Sequence, residues 1–336
     1  MKKRPFGRHE GRSVDQIVLE SADAGVSVLS YGCVVRDWRI ERAGRSLPLV
    51  LGFPRLEDYL RHARGHGMVA GRVANRTANG RFALDGHTYQ LTQNDGPHHL
   101  HGGTVGLGQR VWEMEGEEAA NAVHLRYFSP DGEQGYPGAV EFTVTYRLEG
   151  PRLVCEMAGA PDRPTPIKLA QHNYYNLAGT PTVREHVLRL AAPEYLPLGA
   201  DGIPEGVIRP VEGTRFDFTA PRTLAEADPR AEGYDHPLAL DPGRNRADPA
   251  AELVSPQSGL ALRLWTDQPS LQLFDTKKYT IAAPGHERAR YGPHAGLCLE
   301  AQHFPDSLHQ PDWPSIIATP NSPYFQRLEV DISPGS

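Results

Sequence analysis

Residues 140–148 alternate without a break. Val140, Phe142, Val144, Tyr146 and Leu148 are apolar, and Glu141, Thr143, Thr145 and Arg147 between them are polar. Successive side chains of an extended strand point to opposite faces, so this run predicts a half-buried strand of an antiparallel sheet. No stretch of the chain reads as a long amphipathic helix, and strands do not alternate with helices. Rossmann and TIM-barrel architectures are therefore disfavoured. The 34 glycines and 30 prolines fit many short strands joined by tight turns.

Further strands are expected across roughly 13–52, where Val28, Leu29, Tyr31, Val34, Val35, Trp38 and Leu49 to Leu51 cluster. Others are expected near 122–128, 152–158, 166–170, 186–191, 260–265, 270–274, 296–300 and 325–331. Phe82 and Leu84, then Asp85-Gly86, then Tyr89 and Leu91 read as a hairpin closed by a type I′ turn. Pro54 to Leu60 reads as a short helix with proline in its first position. Residues 242–251 are polar and read as a surface loop. With no composition break and no repeat, the chain is expected to be one large antiparallel β domain over residues 1–336.

The net charge of −6 and the lack of a Lys/Arg run argue against nucleic acid or an anionic membrane as partner. Cys33, Cys155 and Cys298 are an odd, widely spaced set, which suits a reducing compartment better than a disulfide framework. The basic start at Met1 to Arg8 is followed by no apolar core of signal-peptide length, so a cytoplasmic location is expected.

Six stretches carry candidate chemistry. In residues 71–80, Asn75 and Arg76 can donate hydrogen bonds to the hydroxyls of a polar ligand, or can sit in a solvated surface turn. In residues 94–103, His98, His99 and His101 invite a metal reading, but no third ligand follows at close spacing. His101, before Gly102-Gly103, can instead act as an acid, a base or a ligand contact. Gln171 to Asn176 interleaves aromatics, amides and His172, as sugar sites do when rings cover CH faces and amides read hydroxyls. It can equally be a Tyr-rich edge strand. Asp235 can accept from two adjacent hydroxyls, and Gln272 is a polar residue among apolar strand neighbours. Glu300 ends the apolar run from Leu297 and opens into a proline-rich segment, a fixed place for a carboxylate that faces a ligand.

The segments GRVANRTANG, FALDGHTYQL, NDGPHHLHGG, SPDGEQGYPGAVEFTVTY, HNYYNLAG, YLPLGADGIPEG, GTRFDF, GYDHPLAL and GLCLEAQHFPDS occur in that order. Together they resemble the aldose 1-epimerases (galactose mutarotases), from about residue 25 to the C-terminus. The resemblance implies a large antiparallel β-supersandwich. It also implies exchange of the α and β anomers of free aldoses such as glucose or galactose, with no metal or organic cofactor, in a monomer or homodimer. Carried over by position, the histidines fall on His101 and His172, the ANR pair on Asn75 and Arg76, and the remaining positions on Asp235, Gln272 and Glu300. The chain departs from the family pattern around His172, where Gln171, Asn173 and Tyr175 stand in place of the asparagine, serine and phenylalanine of N-H-S-Y-F-N, at Ser270 where the family has glycine, and at Leu273 to Lys278, which bears on sugar preference.

Anomer exchange needs a base for the C1 hydroxyl proton and an acid for the ring oxygen. Glu300 is expected as the base and His172 as the acid on the other side of the sugar ring, with His101 assisting. Asn75, Arg76, Asp235 and Gln272 would orient the sugar. The rival readings are a hydrolase or lyase with a second carboxylic acid opposite Glu300, a non-catalytic sugar-binding protein, and a metal-binding cupin-type barrel.

Overall fold

The computed structural model of the chain describes residues 1–335 other than 43, 63 and 64. The alternating run forms the strand Val140–Glu149, whose apolar positions are buried and whose polar positions face outward. It pairs along its whole length with Arg152–Pro161, from Val140 opposite Pro161 to Glu149 opposite Arg152. The turn between them is Gly150-Pro151, with Gly150 at a positive φ of 58° that favours glycine.

These two strands lie within a nine-stranded antiparallel sheet. From one edge its order is Glu113–Glu117, Ala122–Ser129, Val140–Glu149, Arg152–Pro161, Tyr324–Pro334, Leu260–Thr266, Ala251–Ser255, Val187–Leu190 and Arg222–Thr223. A second sheet is a meander of Arg4–His9, Arg12–Glu20, Ala24–Leu29, Val35–Arg42 and Arg45–Pro48. A third runs Arg209–Pro210, Glu194–Tyr195, Asp235–Ala239, Ser270–Asp275 and Leu297–Gln302. The apolar faces of all three meet in one continuous core that includes Val26 and Trp38, Val144 and Leu153, and Leu238, Leu271 and Leu299. The all-β expectation holds, and helix is confined to short segments.

The hairpin forms as expected, with Asp85 and Gly86 both at positive φ, as a type I′ turn requires. The helix runs Leu56–Arg61, so Pro54 lies outside it rather than in its first position. Arg55 is extended and caps the helix, and its guanidinium turns back onto Asp58 at 2.8 Å. The 242–251 loop gives way at Ala251 to a strand with alternating burial, which the sequence reading did not assign. Asp235–Ala239 also escaped that reading, because its Pro237 argues against a strand interior.

Leu262 is fully buried on Leu260–Thr266, between the Tyr324–Pro334 and Ala251–Ser255 strands. Leu262→Ala is expected to lower unfolding free energy in guanidinium titrations by about 2–5 kcal/mol. Arg147→Ala, on the polar face of its strand, is expected to change it by no more than about 0.5 kcal/mol.

Candidate active site

Three local pairings bring the candidate residues together. The first is the third sheet, where Gln272 stands directly opposite Glu300 and Asp235 stands opposite Phe274. Alternation puts Leu271, Leu273 and Leu299 on the core face of these strands. Gln272, Phe274, Cys298 and Glu300 therefore share the other face. Gln272 Nε2 donates to Asp235 Oδ1 at 2.7 Å, so the amide is already oriented by the carboxylate beside it.

The second is the ladder between Arg76–Thr77 and His99–Leu100, which lays residues 71–80 alongside residues 94–103. At its end, His101 N–H donates to the Asn75 carbonyl at 3.2 Å, and Asn75 N–H donates to His101 Nδ1 at 3.1 Å. Asn75 and His101 both sit in the left-handed region, with φ of 60° and 51°. Such backbone persists where neighbours fix it from several sides, as this reciprocal pair does. Gly102, at φ 85°, packs against the Gly71 carbonyl, which leaves no room for a Cβ. The third pairing is Val69–Ala70 with Ala170–Gln171, continued by His172 N–H donating to the Met68 carbonyl at 2.9 Å.

The convergence leaves a cavity of about 220 Å³ lined by Asn75, Arg76, His101, His172, Asp235, Gln272 and Glu300 among others. All seven expected site residues therefore face one pocket. Its volume falls below the roughly 300–1,000 Å³ usual for drug-sized ligands, as suits a monosaccharide. Larger hollows exist elsewhere, including one of about 560 Å³ beside Lys3 and Arg12. Size therefore does not single out this pocket; its converging polar groups do.

Glu300 and His172 are not on opposite sides of the pocket. They face each other, with Glu300 Oε1 3.4 Å from His172 Nε2, and both side chains are almost fully buried. Burial, reinforced by the Asp235 charge and opposed by Lys168, pushes the Glu300 carboxyl well above the usual range. Burial pushes His172 the other way, down to about 4. The Cys298 thiol, which burial keeps protonated, lies 3.4 Å from His172 Nδ1. A thiol donating there leaves the imidazole hydrogen on Nε2, facing Glu300. Asn75 N–H likewise occupies His101 Nδ1, so neutral His101 carries its hydrogen on Nε2. Burial also holds His101 well below its ordinary value.

Several pocket residues were not assigned from the sequence. Tyr174 is stacked between His66 and His172, with ring centroids 4.2 and 4.9 Å away, and its hydroxyl meets that of Tyr279 at 2.6 Å. Phe274 completes this aromatic wall. Its position two residues from Gln272 was the available signal, because i and i+2 share a strand face. The departing segment after Gln272 thus supplies pocket wall through Phe274 and Tyr279, not only rim. Arg76 is more constrained than a free donor, since Nε lies 2.7 Å from Asp95 Oδ2 and an outer nitrogen lies 4.0 Å from Asp235.

The three neighbouring histidines do not form a metal cluster. His99 Nδ1 meets the Thr92 carbonyl at 2.6 Å and Nε2 meets the Tyr136 hydroxyl at 2.7 Å, so both ring nitrogens are engaged. His98 Nδ1 accepts from Asn79 N–H. Among the described residues, the set with metal-compatible spacing is His172, Cys298 and Glu300, with ligand atoms within 4.8 Å of one another.

The aldose 1-epimerase family profile matches residues 15–331, which takes in every strand of this pocket. The chain belongs to the aldose 1-epimerase family. It is 38% identical over 319 residues to galactose mutarotase of Mus musculus, covering 94% of this chain and 92% of that one. It is 32% identical to the aldose 1-epimerase of Haemophilus influenzae, covering 98% of each. Among solved structures, an aldose epimerase homologue from C. elegans superposes with a TM-score of 0.89 at 28% identity, over 96% of this chain and 100% of that chain. Galactose 1-epimerase from Lactobacillus acidophilus gives 0.87 at 26% identity, over 100% of this chain and 99% of that one. Aldose 1-epimerases are isomerases, and so is this chain.

Gly102→Ala is expected to lower both the thermal unfolding midpoint and catalytic activity. The added methyl would push the Asn75–His101 pair away from Glu300.

Proposed function

We propose that this pocket exchanges the α and β anomers of a free aldose, with Glu300 as base and His172 as acid. The observation that carries the reading is the buried contact of 3.4 Å between their reacting atoms. The anomeric hydroxyl oxygen and the ring oxygen are bonded to the same carbon. An acid and a base that serve both must therefore lie close together.

The opposite displacements of the two groups fit the cycle. In the empty pocket, burial favours the uncharged pair, with one proton on the carboxyl and none extra on the imidazole. Sugar hydroxyls entering the pocket bring hydrogen bonds that stabilise the carboxylate and the imidazolium. Glu300 then takes the C1 hydroxyl proton as His172 gives its proton to the ring oxygen. The C1–O5 bond opens to an aldehyde, rotation about C1–C2 presents the other face, and the two protons return as the ring closes. His101 Nε2–H supplies a second donor near the ring oxygen. Asn75, Arg76, Asp235 and Gln272, all in the pocket lining, orient the hydroxyls. Gln272 Oε1 is buried without a hydrogen-bond partner among the described residues and is available to accept one.

The preferred sugar is read best at Phe274 and Tyr279, whose rings can cover CH faces of a glucose- or galactose-type aldose. The three cysteines are free and buried, in keeping with action in the cytoplasm. A hydrolase reading needs a second carboxylic acid across the scissile bond. The nearest candidate, Asp235, is engaged by Gln272, which favours hydroxyl binding.

Polarimetry on fresh α-glucose or α-galactose tests the assignment. Glu300→Gln is expected to lose about 10²–10⁴-fold and approach the spontaneous rate; undiminished activity would end the assignment of the base. Because the pair works while holding one shared proton, the pH–rate profile is expected to be bell-shaped. Activity is lost on the acid side as both groups become protonated and on the alkaline side as the shared proton leaves. Treatment with a chelator is expected to leave the rate unchanged.

A further inference from the structure

One strand reaches the imidazole of His172 at both of its nitrogens. Cys298 and Glu300 lie two residues apart on Leu297–Gln302, so their side chains leave on the same face. Glu300 Oε1 stands 3.4 Å from His172 Nε2, and Cys298 Sγ stands 3.4 Å from His172 Nδ1. The carboxyl and the thiol thus meet opposite nitrogens of one ring. The ring plane is held separately. Tyr174 stacks on it at an interplanar angle of 17°, and Phe274 meets it edge-on at 81°. Proton exchange between Glu300 and His172 gives Cys298 no part. The thiol is fully buried and does not line the sugar pocket.

A neutral imidazole has one nitrogen that donates and one that accepts, and the neighbour of each decides which is which. Nδ1, the ring nitrogen nearer the backbone, meets the thiol and also a main-chain acceptor of His172 itself. That acceptor favours a hydrogen on Nδ1, which would turn a bare lone pair toward Glu300. A thiol that donates to Nδ1 opposes this and keeps the hydrogen on Nε2. When the imidazole takes up a second proton, Nδ1 becomes a donor and the sulfur can accept from it. A thiol is a weak donor and a weak acceptor, so a turn about its Cβ–Sγ bond lets it serve both forms of the ring. Its S–H bond stays intact throughout. The blander role for Cys298 is a small apolar filler in the cluster that includes Leu51, Tyr174 and Ala295, which a valine of similar bulk would also perform.

We propose that Cys298 is a positioning residue for anomer exchange: its thiol holds His172 in the tautomer whose hydrogen, on Nε2, faces Glu300 in the sugar pocket. This rests on the reading of His172 as the acid. The thiol itself touches neither the sugar nor the proton in flight.

The tautomer is read in long-range ¹H–¹⁵N spectra of the resting protein at neutral pH, with His172 assigned by its absence from His172→Asn. Wild type is expected to show Nε2 protonated and Nδ1 as an acceptor. A wild-type His172 with its hydrogen on Nδ1 overturns the proposal, and that reading needs no change at Cys298. In Cys298→Val the Nδ1–H form is expected to gain population, and kcat to fall about 3–10-fold with KM near wild type, as the loss of one hydrogen bond implies. Cys298→Ser, whose hydroxyl also donates and accepts, is expected to recover the Nε2–H pattern and most of kcat. An unchanged tautomer in a folded Cys298→Val protein overturns the proposal, and so does an equal loss of kcat in the Ser and Val variants. Failure of the underlying reading shows elsewhere: full mutarotation by His172→Asn in polarimetry would remove the acid itself, whatever the tautomer.

Discussion

Dehydration of one carboxyl and one imidazole, held 3.4 Å apart, is the constraint on which the site depends. In water a glutamic acid and a histidine would both carry charge between about pH 4.3 and 6.5. Burial draws their proton affinities toward each other and then past each other. Hydrogen bonds from a bound sugar stabilise the charged forms and draw the affinities back together, so that a proton can pass in either direction, as a reversible exchange between two anomers requires. The three sheets serve this by removing water from the pair while leaving a narrow approach for a polar ligand.

The rigidity of the pair comes from backbone pairing. Glu300 and Gln272 are cross-strand neighbours, and His172 continues a short ladder. Asn75 and His101 lock each other through two reciprocal hydrogen bonds. Strand pairing fixes the separation of facing residues to within a few tenths of an ångström, which long loops do not achieve. Tyr174, stacked between His66 and His172, keeps the imidazole plane from turning.

Much of this was legible in the sequence, for identifiable reasons. The strict alternation at Val140 to Leu148 and the Asp85-Gly86 turn gave strands whose faces and register the structure reproduces. Glu300 and His172 stood out because polar residues end apolar runs there, and His101 because a histidine cluster runs into Gly102-Gly103. The strands at Ala251–Ser255 and Asp235–Ala239 escaped notice. One is short and follows a polar loop, and the other contains a proline. The contact between Glu300 and His172 was also beyond local reading. It depends on how a two-residue ladder at Ala170–Gln171 docks against a strand far along the chain, and no periodicity encodes that.

The aromatic wall has a consequence for how such a site can change. Phe274 stands at the end of the strand that pairs with the Glu300 strand, and Tyr279, on the segment that follows, places its hydroxyl on Tyr174, which stacks on His172. The aromatic wall and the Glu300–His172 contact are thus fastened to one framework. A substitution at Tyr279 reshapes the cup and also removes the hydroxyl partner of the ring stacked on His172. A lineage that varies this segment must therefore keep a partner for Tyr174 if the histidine is to stay in place.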